Sequence, residues 1–145
     1  MEFVIIIGKQ GSDISQDDAL DYIAGYTLGL DMSLRGTEDR SFRKSIDGYA
    51  PLGPWMVTAD EIADPDNVPF KGFVNDELRQ DAHTKDLIYG IRRLIEFASS
   101  FYTIYPGDVY FTGSPAGVGR VKPGDVIHAE CDLIGAMDVP VRAHE

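Results

Sequence analysis

The 145-residue chain carries 24 acidic and 13 basic residues, a net charge of −11, and 43% of its residues are hydrophobic. A chain of this size and apolar content can bury one core, so we expect a single domain over residues 1–145. The acidic balance argues strongly against nucleic acids and anionic membranes as partners, because both attract clustered cations. No apolar run is long enough to span a bilayer. The single cysteine, Cys131, excludes an internal disulfide and favours a cytoplasmic location.

The first half of the chain predicts three strands and one helix. Residues 2–8 contain five consecutive apolar residues, mostly β-branched, which predicts a strand buried inside a sheet. Ser15, followed by acidic residues and then by apolar residues at helical spacing, predicts a helix that ends at Gly25. Two further strands are predicted at 26–33 and 55–58, with a polar loop at 35–48 between them.

The second half predicts a hairpin, a second helix and three more strands. Residues 70–80 form the hairpin, with a tight turn at Asn75 and Asp76. Thr84 begins the helix with the clearest apolar face of the chain. The last strands are predicted at 108–112, 125–131 and 137–142. Together these elements predict a β-rich α+β domain with two main helices.

Two Pro-Gly-Asp-Val turns, at 106–109 and 123–126, bracket a loop with glycines at 113, 117 and 119. Pro-Gly is the preferred centre of a type II turn, because glycine accepts the positive φ that the turn requires. Glycines in such a loop also let the backbone approach a ligand closely. The residues alone favour a plain connection between two strands, and a ligand-binding loop is the alternative.

Asp31 lies in a run of apolar residues that reads as buried. A buried carboxylate needs a cation, a metal ion or hydrogen-bond donors, because an uncompensated buried charge is unfavourable. Arg35, four residues later, is the structural ion-pair partner that the residues alone favour. Lys44, in a loop with acidic neighbours, by itself predicts a solvated ion-pair residue.

Other candidate sites carry less support. His128 and Cys131 alternate on a predicted strand and so face opposite ways, which makes a zinc pair geometrically poor. Ser114 and Cys131 lack the local signature of a catalytic nucleophile.

Five segments in this order resemble the fumarylacetoacetate hydrolase family. They are residues 2–9 (EFVIIIGK), 25–35 (GYTLGLDMSLR), 43–55 (RKSIDGYAPLGPW), 74–80 (VNDELRQ) and 106–119 (PGDVYFTGSPAGVG). Within the family, the chain is most similar to the isomerase-like members that act on 2-hydroxyhepta-2,4-diene-1,7-dioate and 5-carboxymethyl-2-hydroxymuconate. The resemblance implies a mixed β-sheet roll of the family's C-terminal-domain type, usually a homodimer.

The resemblance also implies a metal site, which holds Mg²⁺ or sometimes Mn²⁺ or Ca²⁺. Carboxylates suit such hard cations. By comparison with the family, the metal ligands are Glu2 and Asp31, the catalytic residue is Lys44, and the substrate-binding residues are Arg35, Thr112 and Gly113. The family's Glu-x-Glu pair would place a further ligand before Met1, and many members carry a His–Glu pair on an upstream lid. We therefore expect this chain to lack the N-terminal part of the family fold.

The implied function is a metal-dependent hydrolase or isomerase from aromatic catabolism. Its substrate would be a small 2-oxo or 2-hydroxy-dienedioate or a β-diketo acid, and the reaction would proceed through a metal-chelated enolate. Three alternatives stay open: a non-catalytic domain that keeps the family fold, a decarboxylase or hydrolase of the oxaloacetate or acylpyruvate type, and an acidic scaffold without a ligand site.

Overall fold

The computed structural model describes residues 1–143, which form two four-stranded sheets, one α-helix and three short 3-10 turns. Sheet 1 has the order β3-β2-β1-β6, with β1 at Glu2–Ile7, β2 at Ile23–Gly29, β3 at Leu52–Thr58 and β6 at Val109–Phe111. Sheet 2 has the order β5-β4-β7-β8, with β4 at Pro69–Val74, β5 at Glu77–His83, β7 at Val126–Cys131 and β8 at Gly135–Pro140. The helix, α1, covers Ile91–Ser99, and the 3-10 turns cover Ala19–Tyr22, Ala59–Glu61 and Thr84–Asp86.

All strand pairs in the described residues are antiparallel, so the expectation of a mixed sheet is wrong. Short hairpins join β4 to β5 and β7 to β8, and only antiparallel strands can be joined in this way. In sheet 1, β6 runs back along β1 in the opposite direction. The prediction that β1 lies inside a sheet is confirmed, because β2 and β6 flank it.

The expectation of two main helices is also wrong. The first predicted helix shortens to the 3-10 turn Ala19–Tyr22, and Ile23 already pairs with Ile7 as part of sheet 1. The Ser15 hydroxyl accepts the Asp18 N–H at 3.2 Å and donates to the Asp18 carboxylate at 2.7 Å. The residues that predict a helix start therefore form a local turn. The 3-10 turn ends at Tyr22 because the next residue, Ile23, pairs with β1.

The second predicted helix begins at Ile91 and not at Thr84. The Thr84 side chain, 1% exposed, accepts the Val68 N–H at 2.8 Å and so ties a loop to the end of β5. The N–H of Ile91 is accepted by Asp66 at 2.8 Å, from a loop 25 residues earlier in the chain. At nine residues α1 is short, and no helix in the described part of the chain has the length and apolar character that a bilayer span requires.

The two sheets share one core. Phe3 of β1 stacks on Tyr26 of β2 at a ring-centroid distance of 5.2 Å, and it lies 6.4 Å from Phe70 of sheet 2. Burial raises the pKa of Tyr26 to about 12. Because side chains alternate along a strand, Glu2 leaves β1 on the face opposite Phe3.

The two Pro-Gly-Asp-Val turns have the same geometry, as the sequence predicts. Gly107 and Gly124 have φ values of 92° and 96°. In each turn the aspartate N–H donates to the carbonyl of the residue before the proline, at 3.0 Å for both Asp108 and Asp125. The aspartate carboxylate accepts the N–H of that same residue, at 2.8 Å and 2.9 Å. This backbone N–H lowers the pKa of Asp125.

Candidate active site

Two carboxylates leave the same face of sheet 1. Glu2 lies between Met1 and Phe3, and both of these neighbours belong to the core. Asp31 follows the end of β2 and lies between Leu30, which is buried, and Met32, which packs against the core. The register of β1 and β2 pairs Glu2 with Gly29, two residues before Asp31. Side chains two residues apart on an extended chain face the same way, so Asp31 and Glu2 share the outer face.

The segment after β2 folds back on itself and brings Lys44 to Asp31. The N–H of Met32 donates to the Tyr49 carbonyl at 2.9 Å, and the N–H of Leu34 donates to a second carbonyl in the returning chain at 3.0 Å. The Lys44 ammonium donates to the Asp31 carboxylate across 13 residues of sequence. The Lys44 side chain is 50% exposed and that of Asp31 is 23% exposed.

Asp39 shapes the turn that carries Lys44. Its carboxylate accepts the Ser41 N–H at 2.8 Å, and this bond is the main reason that the pKa of Asp39 is lowered. The Asp39 carbonyl accepts the Arg43 N–H at 3.1 Å, and Ser45 donates back to Ser41 at the same distance. The polar residues of this loop thus form an ordered turn, which places the lysine beside the end of β2.

Glu2 is held in a different way. It is only 2% exposed, and each of its oxygens accepts one hydrogen bond at 2.7 Å, from the Gly113 N–H and from the Ser114 hydroxyl. Pairing of β6 with β1 brings these donors to Glu2, because β6 ends just before them. Hydrogen bonds to a carboxylate are stronger than neutral ones. Glu2 therefore fixes the start of the glycine loop, residues 113–119.

Thr112 and Gly113 already have partners within the protein. The Thr112 hydroxyl donates to the Phe3 carbonyl at 2.7 Å, and the Thr112 N–H donates to the same oxygen at 3.3 Å. The Gly113 N–H is bound to Glu2. Both residues lie beside Glu2, and substrate binding by them stays a prediction.

Arg35 does not form the ion pair with Asp31 that the residues alone favour. The partner of Asp31 is Lys44, and Arg35 is exposed. Among the described residues, Arg35 has no carboxylate within ion-pair distance. The turn geometry decides the pairing, since it folds Lys44 back toward the end of β2.

Ser114 is the site residue that sequence reasoning missed. It lacks a nucleophile signature, and its hydroxyl acts as a donor to Glu2. The signal lay in strand pairing: if the strand before Thr112 pairs with β1 in antiparallel register, the residues after it must come next to Glu2. The prediction that His128 and Cys131 face opposite sides of their strand is confirmed. Cys131 is buried in the core, and His128 pairs with Asp138 at 2.7 Å on the outer face of sheet 2.

The donor set fits a hard divalent cation bound by few protein ligands. Mg²⁺ commonly takes one or two carboxylates and keeps its other positions for water and substrate oxygens. Glu2 and Asp31 supply two carboxylates, and both act electrostatically on the Met1 nitrogen, where they oppose the lowering of its pKa by burial. Within residues 1–143, no three histidine, cysteine, aspartate or glutamate side chains are placed to hold a metal ion together.

Two cavities, of about 550 and 430 Å³, open on sheet 2 and contain none of the predicted site residues. The candidate site lies instead where β1 begins and β2 ends in the middle of sheet 1, with Glu2 buried and with Asp31 and Lys44 partly exposed.

Comparison with known proteins gives a consistent result. The family model described as fumarylacetoacetate hydrolase, C-terminal, matches residues 1–142. A maleylpyruvate hydrolase of Aquipseudomonas alcaligenes is 51% identical over 143 residues, which is 99% of this chain and 50% of that protein. A bifunctional isomerase/decarboxylase of 4-hydroxyphenylacetate degradation from Salmonella dublin is 40% identical over 94% of this chain and 33% of that protein.

Solved structures show the same likeness. The structure of maleylpyruvate hydrolase from Sphingobium sp. SYK-6 in complex with manganese(II) and pyruvate superimposes with a TM-score of 0.95 at 44% identity, over 99% of this chain and 53% of that one. A 5-carboxymethyl-2-hydroxymuconate delta-isomerase from Mycobacterium smegmatis gives 0.91 at 37% identity, over 99% and 58%. The chain thus spans about half the length of the maleylpyruvate hydrolases that it matches.

Proposed function

Given that the chain belongs to the fumarylacetoacetate hydrolase family, we propose that it forms the metal-binding part of a hydrolase or isomerase from aromatic catabolism. The substrate would be a small 2-oxo or 2-hydroxy-dienedioate or a β-diketo acid, the chemical class that includes maleylpyruvate. The observation that carries the proposal is the contact between Lys44 and Asp31 on the sheet face that also holds Glu2.

Asp31 and Glu2 would hold the divalent cation. We propose Mg²⁺, with Mn²⁺ or Ca²⁺ as substitutes, and the manganese in the relative's structure supports a divalent ion in general. When bound, the cation would supply Lewis-acid stabilisation of negative charge on the 2-oxo group. Two protein carboxylates leave coordination positions for a chelating substrate.

Lys44 would place positive charge where the substrate oxyanion develops. Its side chain is half exposed, so the ammonium can turn from Asp31 toward a ligand at low cost. Positive charge fixed at a developing oxyanion is often the largest contribution to catalysis. Arg35, exposed on the same loop, would line the outer side of the site.

The glycine loop would bind the substrate carboxylate. Thr112 and Gly113 stay in this proposal, although a substrate would have to replace the acceptors that they use within the protein. In the described part of the chain, no protein acceptor contacts the backbone N–H groups of Ser114 or of residues 116–119. Exposed N–H groups of this kind are suited to bind an anion.

We also propose that the protein is a homodimer in the cytoplasm. The aromatic side chains at the end of α1 support an association surface, since Phe97, Phe101 and Tyr102 are 55–71% exposed. The lone cysteine, Cys131, is buried, as expected for a fold that uses no disulfide. Sedimentation of the purified chain tests the dimer.

Turnover of maleylpyruvate with added Mg²⁺ or Mn²⁺ tests the function. We expect Lys44→Met to lower kcat by about 100-fold or more while Mn²⁺ binding is kept. Lys85→Met, which removes another exposed lysine, is the matched control and should leave kcat unchanged. Normal turnover by Lys44→Met would refute the role of the lysine. The alternative of a non-catalytic domain predicts no turnover and no stabilisation by metal.

A further inference from the structure

The glycine loop connects the two sheets and is fastened to both. Its start is bound to Glu2 of sheet 1. Its middle contacts β5 of sheet 2, where a Cβ on Gly117 would lie 1.8 Å from the Arg79 carbonyl oxygen. Between these two points, the carbonyl of Pro115 accepts a hydrogen bond from the Gln80 side-chain amide at 3.2 Å.

Gln80 is a buried polar side chain with a partner at each end. It is 7% exposed, its carbonyl oxygen accepts from the Met1 nitrogen at 2.7 Å, and its amide nitrogen donates to Pro115. The two partners fix the orientation of the amide, because one is a donor and the other an acceptor. Gly72 lies opposite Gln80 on β4 and makes room for this contact, since a Cβ there would meet the Met1 side chain at 3.2 Å.

We infer that Gln80 is a positioning residue for the glycine loop. It lies on β5 and joins two other parts of the chain, the Met1 nitrogen at the start of β1 and the Pro115 carbonyl in the loop. The inference rests on the proposed function, because it makes the affinity for a substrate carboxylate depend on a residue that does not touch the substrate.

An exposed loop rich in glycine has many conformations. Each hydrogen bond that holds such a loop in place therefore helps to keep its N–H groups oriented toward a ligand. The residues of the loop other than Pro115 are exposed, which leaves few packing contacts to order them. Loss of the Gln80 bond would therefore raise loop mobility and lower the affinity for an anion.

The amide of Gln80 meets both needs at this position. A leucine would leave the Met1 nitrogen and the Pro115 carbonyl without their buried partner. A glutamate would keep the acceptor for Met1, but it would face the Pro115 carbonyl with a second acceptor and add charge near Glu2.

The test compares Gln80→Leu with Thr84→Val. Thr84, which follows β5, is also buried and also binds a backbone group, the Val68 N–H, but it forms no hydrogen bond with residues 113–119. Gln80→Glu serves as a second variant of similar volume. Hydrogen–deuterium exchange of the Gly113 N–H reports how firmly the loop is held, because Glu2 accepts this N–H whereas the other N–H groups of residues 114–119 have no acceptor among the described residues. Titrations with Mn²⁺ alone and with pyruvate at saturating Mn²⁺ report binding.

We expect exchange of the Gly113 N–H to be about tenfold faster in Gln80→Leu and unchanged in Thr84→Val. Pyruvate affinity should fall by about tenfold, while Mn²⁺ affinity stays within about twofold of the wild type. Gly113 exchange equal to that of the control would overturn the inference, as would faster exchange with unchanged pyruvate affinity. If the wild type binds neither Mn²⁺ nor pyruvate, the proposed function is contradicted, and the exchange comparison alone decides whether Gln80 anchors the loop.

Discussion

Glu2 is 2% exposed and accepts two hydrogen bonds from the glycine loop, whereas Asp31 lies beyond the end of β2, is 23% exposed and pairs with a half-exposed lysine. The first carboxylate is part of the fold, and its donors come from a neighbouring strand. The second is held by a single flexible partner. The Glu2 side of the site is thus fixed by hydrogen bonds within the fold. On the other side, Asp31 can replace its contact with Lys44 by a contact with a ligand while the fold stays intact.

The contrast has an energetic meaning. Hydrogen bonds to a charged group contribute about 1.5–3 kcal/mol each, and a buried carboxylate cannot turn to water when one is lost. An exposed ion pair contributes only about 0–1 kcal/mol. Substitutions should therefore affect folding on the Glu2 side and ligand binding on the Asp31 side.

The largest effect on folding should come from Gly117, in the middle of the glycine loop. Gly117→Ala places a Cβ against the Arg79 carbonyl at a residue with φ 95°, so we expect the free energy of unfolding to fall by about 3 kcal/mol. Gly124→Ala is the matched control, because its φ is 96° and a Cβ there meets no atom within 4 Å. It should lose only about 1 kcal/mol. Equal losses in urea denaturation would mean that the loop is not packed on sheet 2.

Glu2→Gln should lower the free energy of unfolding by about 2 kcal/mol, since one of its two donors would face an NH₂ group. Urea denaturation in the absence of metal measures this loss. A variant as stable as the wild type would show that the glycine loop does not depend on Glu2.

Asp31→Asn should lower the free energy of unfolding by less than about 1 kcal/mol under the same conditions. Asp60→Asn, at another exposed aspartate, is the control for a neutral surface change. A loss larger than that of Glu2→Gln would reverse the contrast between the two carboxylates.

The smallest effect should come from His128, which lies outside the site. Its hydrogen bond to Asp138 raises its pKa, with a further contribution from Glu130, and burial acts in the opposite direction. The stabilisation is therefore complete below the ordinary histidine pKa of about 6.5 and disappears as the pH rises through the folded-state pKa. The difference in Tm between wild type and His128→Gln should be larger at pH 5.5 than at pH 8.5. A difference that grows with pH would contradict this assignment.

The parts of the molecule that the sequence predicts well are those with local causes. Both Pro-Gly-Asp-Val turns follow from their own residues, and the hairpin around Asn75 is confirmed between β4 and β5. The errors have distant causes. The start of α1 depends on Asp66, which is far away in sequence, and the first predicted helix loses its last residues to pairing with β1.

The candidate site shows the same division. The choice of Asp31, Lys44 and Glu2 comes from the family resemblance, because Asp31 and Lys44 alone read as ordinary ion-pair residues and Glu2 alone only begins a predicted strand. The returning turn after β2 brings Lys44 to Asp31, and the pairing of β6 with β1 brings Ser114 to Glu2. Neither contact has a local signature, so only the folded chain reveals that Glu2 holds the loop.

The central claim is that Asp31 and Glu2 hold one divalent ion beside Lys44. Titration with Mn²⁺, followed through the relaxation of water protons and then repeated with pyruvate, tests it most directly. We predict one Mn²⁺ per chain in the wild type, at least about tenfold weaker binding in Asp31→Asn, and normal Mn²⁺ binding with lost pyruvate affinity in Lys44→Met. Mn²⁺ binding by Asp31→Asn that equals the wild type would contradict the account.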